Sequence, residues 1–378
     1  MKLKSLLLGS AAVFVAVSGA RAADAIIVEP EPVEYVRVCD VYGPGYYYIP
    51  GTETCLKFAG QLRVTYDTLV DDHNANSSSH SDSYRFRFHV YADNETEYGR
   101  LSSWVRYTSG GQSFTTASSA ISRAGGADTN TVFIDNAVIS LGGFRVGRLS
   151  DSYWDNTGGA FFTNGTIVGV VTNGGSSFGF YGATAAWFAD YTWAANGWTV
   201  TVGVQDPSND SVFANNTASP AISTIGRPDV YAGVTYATSG LEVRGVVAWD
   251  SGTTIVGNTN GGLAWKAGFT YDFGNGWMLG GWYGSDSGDT DYIGGHLWGV
   301  TASWKLADNW KLAGYYTEFD DQINGGTAQQ YGAELRWDIV TGLDMTVGYE
   351  KLIGDSTNSM LSGADSSDAF RVALTRRF

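Results

Sequence analysis

Histidine and cysteine are the residues of this sequence that could support metal or nucleophilic chemistry, and their spacing favours neither. Of the four histidines, His73 and His80 lie in a stretch rich in Asp and Ser, and His89 and His296 stand apart from them. None of them has zinc-type spacing, and the chain lacks a Gly-x-Ser-x-Gly motif and a glycine-rich phosphate loop before a helix. We therefore predict no metal, no cofactor and no catalytic residue. Asp-rich loops can hold Ca²⁺ weakly, although solvation is the commoner reason for such loops.

The N-terminus has the pattern of an export signal. Lys2 and Lys4 precede an apolar run from Leu6 to Val17, and the small-residue site Ala20-Arg21-Ala22 follows it. The run is too short to cross a membrane as a helix, and no later stretch reaches eighteen consecutive apolar residues. We expect residues 1–22 to be a signal peptide that is cleaved after Ala22.

Export places Cys39 and Cys55, the two cysteines of the chain, in an oxidising compartment. This favours a single disulfide over two free thiols, and closing a loop of that size would stabilise by about 3 kcal/mol. The spacing is not Cys-x-x-Cys, so a redox role is disfavoured. We expect residues 23–55 to form an N-terminal periplasmic segment that the disulfide holds beside the first strand.

The composition excludes several classes of protein. The formal charge is −15, and removal of Lys2, Lys4 and Arg21 would make the mature chain more acidic still. Nucleic-acid binding, which calls for a basic surface, is therefore not expected. Fifty glycines, 14% aromatic residues and only seven prolines fit neither a disordered chain nor a solenoid. The interpretation that remains is a fold of many strands separated by glycine-containing turns.

From about residue 56, stretches of roughly ten residues alternate in polarity. In residues 83–92 every second side chain is apolar and the others are basic, in the order Tyr84, Arg85, Phe86, Arg87, Phe88, His89, Val90. A period of two indicates strands, in a soluble sandwich as well as in a barrel. We predict sixteen strands, near residues 56–66, 83–92, 98–107, 131–141, 144–150, 184–194, 197–205, 229–238, 241–249, 262–273, 276–284, 295–306, 309–319, 328–339, 342–351 and 368–378.

The connections between these strands favour a barrel over a sandwich. Seven of them are compact turns, such as Asp93–Glu97 and Gly142–Gly143, and they alternate with longer polar loops such as Thr68 to Asp82 and Thr108 to Asn130. This sorting is typical of a barrel that spans a membrane with its short turns in the periplasm. The predicted fold is all-β: a transmembrane antiparallel up-and-down β-barrel over residues 56–378. Sixteen strands leave a lumen wide enough for water, so the polar faces should line a pore.

Three segments resemble alphaproteobacterial outer-membrane porins. Val33-Glu34-Tyr35-Val36-Arg37-Val38-Cys39-Asp40, continued by residues 45–56, resembles the N-terminal signature of that family. The stretch Asn136 to Arg148 is similar to the hairpin that precedes the inward-folded third loop of general porins. The chain ends in Phe378, behind apolar residues at period two, like the signal read by the barrel assembly machinery.

The resemblance implies further properties that periodicity alone does not. It implies a homotrimer in the bacterial outer membrane, surrounded by lipid and lipopolysaccharide, with a third loop that narrows each pore. It also implies passive diffusion of small hydrophilic solutes and ions. The third loop departs from a charged pattern, since between Asp151 and Phe180 its only acids are Asp151 and Asp155. Those two acids and Arg148 are the pore-lining candidates that the resemblance adds.

The basic residues of the first predicted strands are the candidates that the pattern itself supplies. On the polar faces lie Arg63, Arg85, Arg87, Arg100 and Arg106, while the acids of this region fall mainly in loops and turns. A wall of fixed positive charge in a narrow pore would bias which ions enter. The alternative is that these side chains are solvated lumen residues without a selective role.

Three other functions are compatible with such a barrel to different degrees. A substrate-specific channel could use third-loop aromatics, namely Tyr153, Trp154, Phe161 and Phe162. A structural or adhesive outer-membrane protein would act through its surface loops, and its barrel would not conduct. An outer-membrane hydrolase is disfavoured by the missing Ser/His arrangement. We expect a general diffusion porin.

Overall fold

The computed structural model describes residues 37–71, 77–116, 132–149, 186–205, 228–251, 261–287, 294–322, 325–355 and 366–378. The predicted signal peptide and the candidates Asp151 and Asp155 lie outside these ranges. No helix in the described part of the chain is long and apolar enough to cross a membrane.

The described residues form one short 3₁₀ helix, Asp40–Tyr42, and seventeen strands. The strands are β1 (Tyr47–Tyr48), β2 (Cys55–Asp71), β3 (Ser77–Thr96), β4 (Gly99–Thr116), β5 (Val132–Leu141), β6 (Phe144–Leu149), β7 (Ala186–Ala195), β8 (Trp198–Gln205), β9 (Asp229–Ala237), β10 (Leu241–Asp250), β11 (Gly262–Asp272), β12 (Trp277–Asp286), β13 (Gly295–Ala307), β14 (Trp310–Asp321), β15 (Thr327–Val340), β16 (Leu343–Gly354) and β17 (Ser366–Arg377).

Strands β2 to β17 form a closed barrel of sixteen antiparallel strands. Each pairs with the next strand in the chain, and β17 returns to pair with β2, where Leu374 lies opposite Val64. Closure leaves no open sheet edge, which is the condition for strands to cross a hydrocarbon layer. The predicted fold class and strand number are confirmed.

Several strands extend further than predicted at the long-loop end. Thr68 to Asp82 were assigned to a loop, yet β2 continues to Asp71 and β3 begins at Ser77, with Asp71 opposite Ser77. Strand β4 likewise continues to Thr116. These extensions are rich in Ser and Thr, and apolar alternation does not detect them. Beyond the apolar band of the barrel, backbone hydrogen bonds still pair the strands, and neither face of a strand has to be apolar there.

Two connections are shorter than predicted. The turn assigned to Asp93–Glu97 is only Glu97 and Tyr98, because β3 runs to Thr96 and Thr96 Oγ1 donates to the carbonyl of Gly99 at 2.6 Å. The connection between β14 and β15, predicted among the long loops, spans residues 322–326. Gly325 and Gly326 both have positive φ angles there, of 83° and 87°, which permit a tight turn.

The two faces of the barrel follow the alternation of each strand. On β2, Leu62, Val64 and Tyr66 are exposed on the outside, whereas Thr65 and Asp67 are buried on the inside. Near the short turns the outer face carries aromatic pairs: Trp277 with Trp304, Trp310 with Trp337, and Trp198 with Tyr236, at centroid distances of 4.9, 5.4 and 4.6 Å. Apolar walls with aromatic bands suit a membrane exterior.

The C-terminal residue completes the seam of the barrel. Phe378 donates its backbone N–H to Gly60 at 3.0 Å, and the Gly60 N–H donates to the Phe378 carbonyl at 2.7 Å. The Phe378 ring lies over Gly60 so closely that a Cβ on Gly60 would come within 2.3 Å of the ring. Glycine at position 60 is therefore required for this close approach of the aromatic ring.

The segment before the barrel is tied to the first strands. Cys39 and Cys55 form a disulfide, with their Cα atoms 6.1 Å apart, as predicted. Both sulfurs are buried with Tyr46 in a small apolar cluster. Burial and a hydrogen bond to Asp93 raise the pKa of the Tyr46 phenol to about 12. Arg100 lies over the ring of Tyr42 at 4.6 Å, so the inner face of β4 also holds this segment.

Candidate functional site

The inner face of β2 and β3 carries a cluster of three arginines, Arg63, Arg85 and Arg87, hereafter the arginine cluster. Arg63 lies directly opposite Arg85 across the two strands, and Arg87 occupies the next inward position of β3, opposite Gln61. Arg85 Nη2 donates to Gln61 Oε1 at 3.5 Å. Like charges placed directly opposite destabilise a sheet. Stability of the wall does not explain this arrangement.

Strand β17 adds positive charge to the arginine cluster from the other side. Arg371 and Arg377 act electrostatically on Arg63. Arg371 also donates to both carboxylate oxygens of Asp67, at 2.5 and 2.8 Å, and Arg377 donates to Asp344. These carboxylates offset part of the charge that β17 brings to this side of the arginine cluster.

Arg100 has a different environment from the arginine cluster. Its Nε donates to Asp93 at 2.8 Å, and the hydroxyl of Ser102 donates to the same carboxylate oxygen. Asp93, which the sequence placed in a turn, is buried on the inner face because β3 continues past it. Arg100 therefore lies at the short-turn end in an ion pair.

Arg106 lies beside three aromatic rings that sequence reasoning did not single out. The rings of His89, Tyr91 and Trp104, hereafter the aromatic platform, project from the inner faces of β3 and β4, with centroids 6.0 to 6.1 Å apart and interplanar angles of 5° to 14°. The Arg106 guanidinium lies 6.0 Å from the Trp104 ring centroid, and Arg106 is the cross-strand partner of His89. The signal was available in the alternation of β3, which puts His89 and Tyr91 on the polar face.

Arg148 departs from the regular alternation of its strand. It is buried, as is its neighbour Leu149, and its cross-strand partners are Ala137 and Trp187. The preceding Gly147 has a φ angle of 151° and lies against the backbone of Ala137. Because Arg148 and Leu149 are adjacent and both buried, the alternation of β6 does not assign Arg148 to one face, and its place in the pore stays a prediction.

A second ionic network lies on β6, β7 and β9. Arg145 donates to both carboxylate oxygens of Asp190 at 2.8 and 2.6 Å, and the Tyr231 hydroxyl donates to the same carboxylate at 2.8 Å. Tyr231 passes over Gly203 of the intervening strand. This network links β6, β7 and β9 across the intervening β8, so Arg145 helps to hold these strands of the barrel together. Among the described residues, no group of three or more His, Cys, Asp or Glu side chains could hold a metal ion.

Comparison with known proteins agrees with this geometry. The family model described as "Porin subfamily" matches residues 24–369. The chain belongs to this porin family. Porin Omp2b of Brucella suis biovar 1 (strain 1330) is 36% identical over 257 residues, which cover 66% of this chain and 67% of the relative.

Solved structures share the fold of this porin at low sequence identity. OmpF of Salmonella typhi has a TM-score of 0.62 and 14% identity over 86% of this chain and 98% of that chain. OmpT of Vibrio cholerae, in a trimer form, has a TM-score of 0.55 and 13% identity over 86% of this chain and 100% of that chain.

Family, relatives and barrel together make this chain an outer-membrane porin channel. They indicate a channel rather than an enzyme. The exterior of this barrel is apolar, and the arginine cluster and the aromatic platform lie on the inside.

Proposed function

We propose that this porin is a passive channel for small hydrophilic solutes and ions, and that the arginine cluster lines its pore and favours the entry of anions. The observation that carries the selectivity is the direct pairing of Arg63 with Arg85 on the inner face, with Arg87 beside them. In 0.1 M salt the screening length is about 10 Å, so such a cluster acts across a narrow lumen while charges at the mouth are largely screened.

The other candidates contribute unequally in this proposal. Arg106 adds to the positive wall, and Arg100 acts mainly through its ion pair with Asp93. Arg148, Asp151 and Asp155 remain candidates for the third-loop side of the pore.

Replacing Arg85 and Arg87 with Ser tests the proposal. In planar bilayers with a salt gradient, the reversal potential should move toward cation selectivity and the conductance should rise, because two charges and two long side chains leave the lumen. The shift should shrink as salt rises toward 1 M, where the screening length is about 3 Å.

The matched control removes two positive charges elsewhere on the inner face. Lys305 and Lys311 lie at the short-turn ends of β13 and β14, and Lys305 is paired with Asp308 at 2.8 Å. Their double Ser variant should shift the reversal potential much less. Equal shifts in the two double variants would refute a special role for the arginine cluster.

The assembly proposed for this porin is a homotrimer whose apolar exterior contacts outer-membrane lipid and lipopolysaccharide. The family resemblance and the trimer form of the Vibrio neighbour support it. Conductance that enters a bilayer in steps of three closely spaced levels is the expected result, and single-level steps would contradict it.

Biogenesis follows from the proposed domains. Residues 1–22 are removed as an export signal, and residues 23–55 stay on the periplasmic side, where Tyr42 and Tyr46 contact the inner face of the barrel at its short-turn end. The barrel assembly machinery reads the C-terminal strand that ends in Phe378. The disulfide and the exposed apolar side chains of β17, Phe370 and Leu374, support these assignments.

A further inference from the structure

We propose that the aromatic platform is a binding subsite for planar aromatic solutes that carry an anionic group, such as aromatic carboxylates. The inference rests on the proposed diffusion channel, since the solute must reach the platform through the lumen. It adds a weak preference for one chemical class of solute to a pore that otherwise passes solutes by size and charge.

The platform is preorganised for a flat ligand. The Trp104 indole N–H donates to His89 Nδ1 at 3.2 Å, and the Tyr91 hydroxyl lies 3.1 Å from the same nitrogen. An indole N–H can only donate, so Nδ1 accepts and the geometry places the imidazole proton on Nε2. These contacts hold the three rings nearly parallel without a solute, so little conformational entropy is lost on binding.

All three rings of the platform keep part of their surface exposed. The adjacent inward row on one side is polar, with Arg87 and Thr108, and Val138 lies opposite Trp104 on the side of β5. Polar side chains are what a water-filled lumen favours. An aromatic patch held open to the lumen offers a solute ring dispersion contact and release of water from apolar surface.

Positive charge adjoins the platform on the same strand. The inward side chains of β3 follow the order Arg85, Arg87, His89, Tyr91, and successive inward positions are about 7 Å apart. A solute ring over His89 and Tyr91 would bring a carboxylate toward Arg87. Arg106 adds a guanidinium 6.0 Å from the Trp104 ring centroid. Neutral sugars lack the charged group, and organic cations would be repelled.

The experiment measures the block of ion current through the intact porin in planar bilayers. Sodium benzoate is added at increasing concentration to KCl, and sodium cyclohexanecarboxylate, which has a similar size and charge but no flat ring, serves as the comparison solute. Benzoate should reduce the KCl current saturably, with a half-saturating concentration about threefold to tenfold below that of cyclohexanecarboxylate. Benzyl alcohol, which is flat but neutral, should be the weakest of the three.

Two platform variants and one control assign the effect to the rings. Tyr91→Leu and Trp104→Leu should each raise the half-saturating benzoate concentration about threefold to tenfold. Phe88→Leu removes a ring from the opposite face of β3 and should leave it unchanged. Tyr91 packs against the buried cluster of the disulfide and Tyr46, and Trp104 against a second buried cluster, so each variant is compared as a folded barrel with the KCl conductance of the parent. If one variant fails to fold, the other decides the question.

Three outcomes would overturn the subsite. They are equal block by benzoate and cyclohexanecarboxylate, equal block by benzoate and benzyl alcohol, and a half-saturating concentration that Tyr91→Leu does not change. Absence of any KCl conductance in the parent would refute the proposed channel instead, so the two failures are distinguishable.

Discussion

Replacing Gly60 with Ala should weaken the seam between β2 and β17, because the added methyl group would occupy the space of the Phe378 ring. The new Cβ would lie 2.3, 2.6 and 2.9 Å from three ring carbons. Carbon atoms pack favourably at about 3.5 to 4.0 Å, so the ring must move by more than 1 Å or rotate away.

The size of the destabilisation depends on how the Phe378 ring can move and how much packing it loses. The Phe378 backbone is held by two hydrogen bonds to Gly60, of 3.0 and 2.7 Å, so the ring has to move by side-chain rotation. Overpacking typically costs about 1 to 3 kcal/mol. Phe378 is 60% exposed, so moving the ring disrupts few packing contacts, and we take the lower half of the range for overpacking. We expect a loss of about 1 to 2 kcal/mol in unfolding free energy.

Urea unfolding of the refolded barrel in lipid vesicles measures this loss, and Gly245→Ala is the matched control. A Cβ on Gly245 would meet its nearest atoms at 3.8 Å or beyond, which is ordinary contact. That substitution should therefore gain about 0.5 to 1 kcal/mol, as Ala does over Gly in a strand. In a Phe378→Ala background, Gly60→Ala should also become neutral or stabilising. An equal loss with and without the Phe378 ring would refute the steric reasoning.

Two further predictions concern the chain ends. The denatured, unreduced protein should show no reactive thiol, and two reactive thiols in fresh protein would contradict this. In a Cys39→Ser, Cys55→Ser variant, the segment before the barrel should become accessible to protease, and the protein should lose up to about 3 kcal/mol of stability. Deleting Phe378 should lower the yield of heat-modifiable folded barrel without reducing export, as measured by quantifying folded and unfolded forms in membranes, and unchanged assembly would show that the terminal residue is not read here.

The alternation of apolar and polar residues with a period of two was sufficient to predict which stretches form the strands of the barrel. Strands such as β3 and β8 alternate apolar and polar side chains because one face forms the exterior of the barrel and the other its interior, and all sixteen barrel strands lie near their predicted positions. The ends of the strands were less predictable. In β2 and β3 the residues beyond the apolar band, such as Ser77, are polar whether or not their backbone is paired.

The sequence predicted on which face of the barrel the candidate residues lie, but not which of them lie opposite each other on neighbouring strands. Alternation alone places Arg63, Arg85 and Arg87 on the inner face, but the register that sets Arg63 against Arg85 depends on the length of the connection between β2 and β3. The partner of Arg100 was missed because Asp93 was assigned to a turn. The aromatic platform was missed because its rings come from two strands, and neither strand alone shows that they are parallel.

The net charge of the chain does not show how charged side chains are distributed over the barrel. The chain carries a formal charge of −15. Near the long-loop ends of the strands, some acids accept hydrogen bonds from backbone N–H groups: Asp229 from Ser251 at 2.8 Å, and Asp286 from Gly294 at 2.6 Å. Other acids, such as Asp67 and Asp190, are held in bidentate pairs with arginines. Carboxylates engaged in this way are tied to particular strand positions, and Arg63 lies opposite Arg85 on the inner face of β2 and β3. Under the proposed function, the sign of the potential along the lumen therefore follows from such local pairing and not from the net charge of the chain.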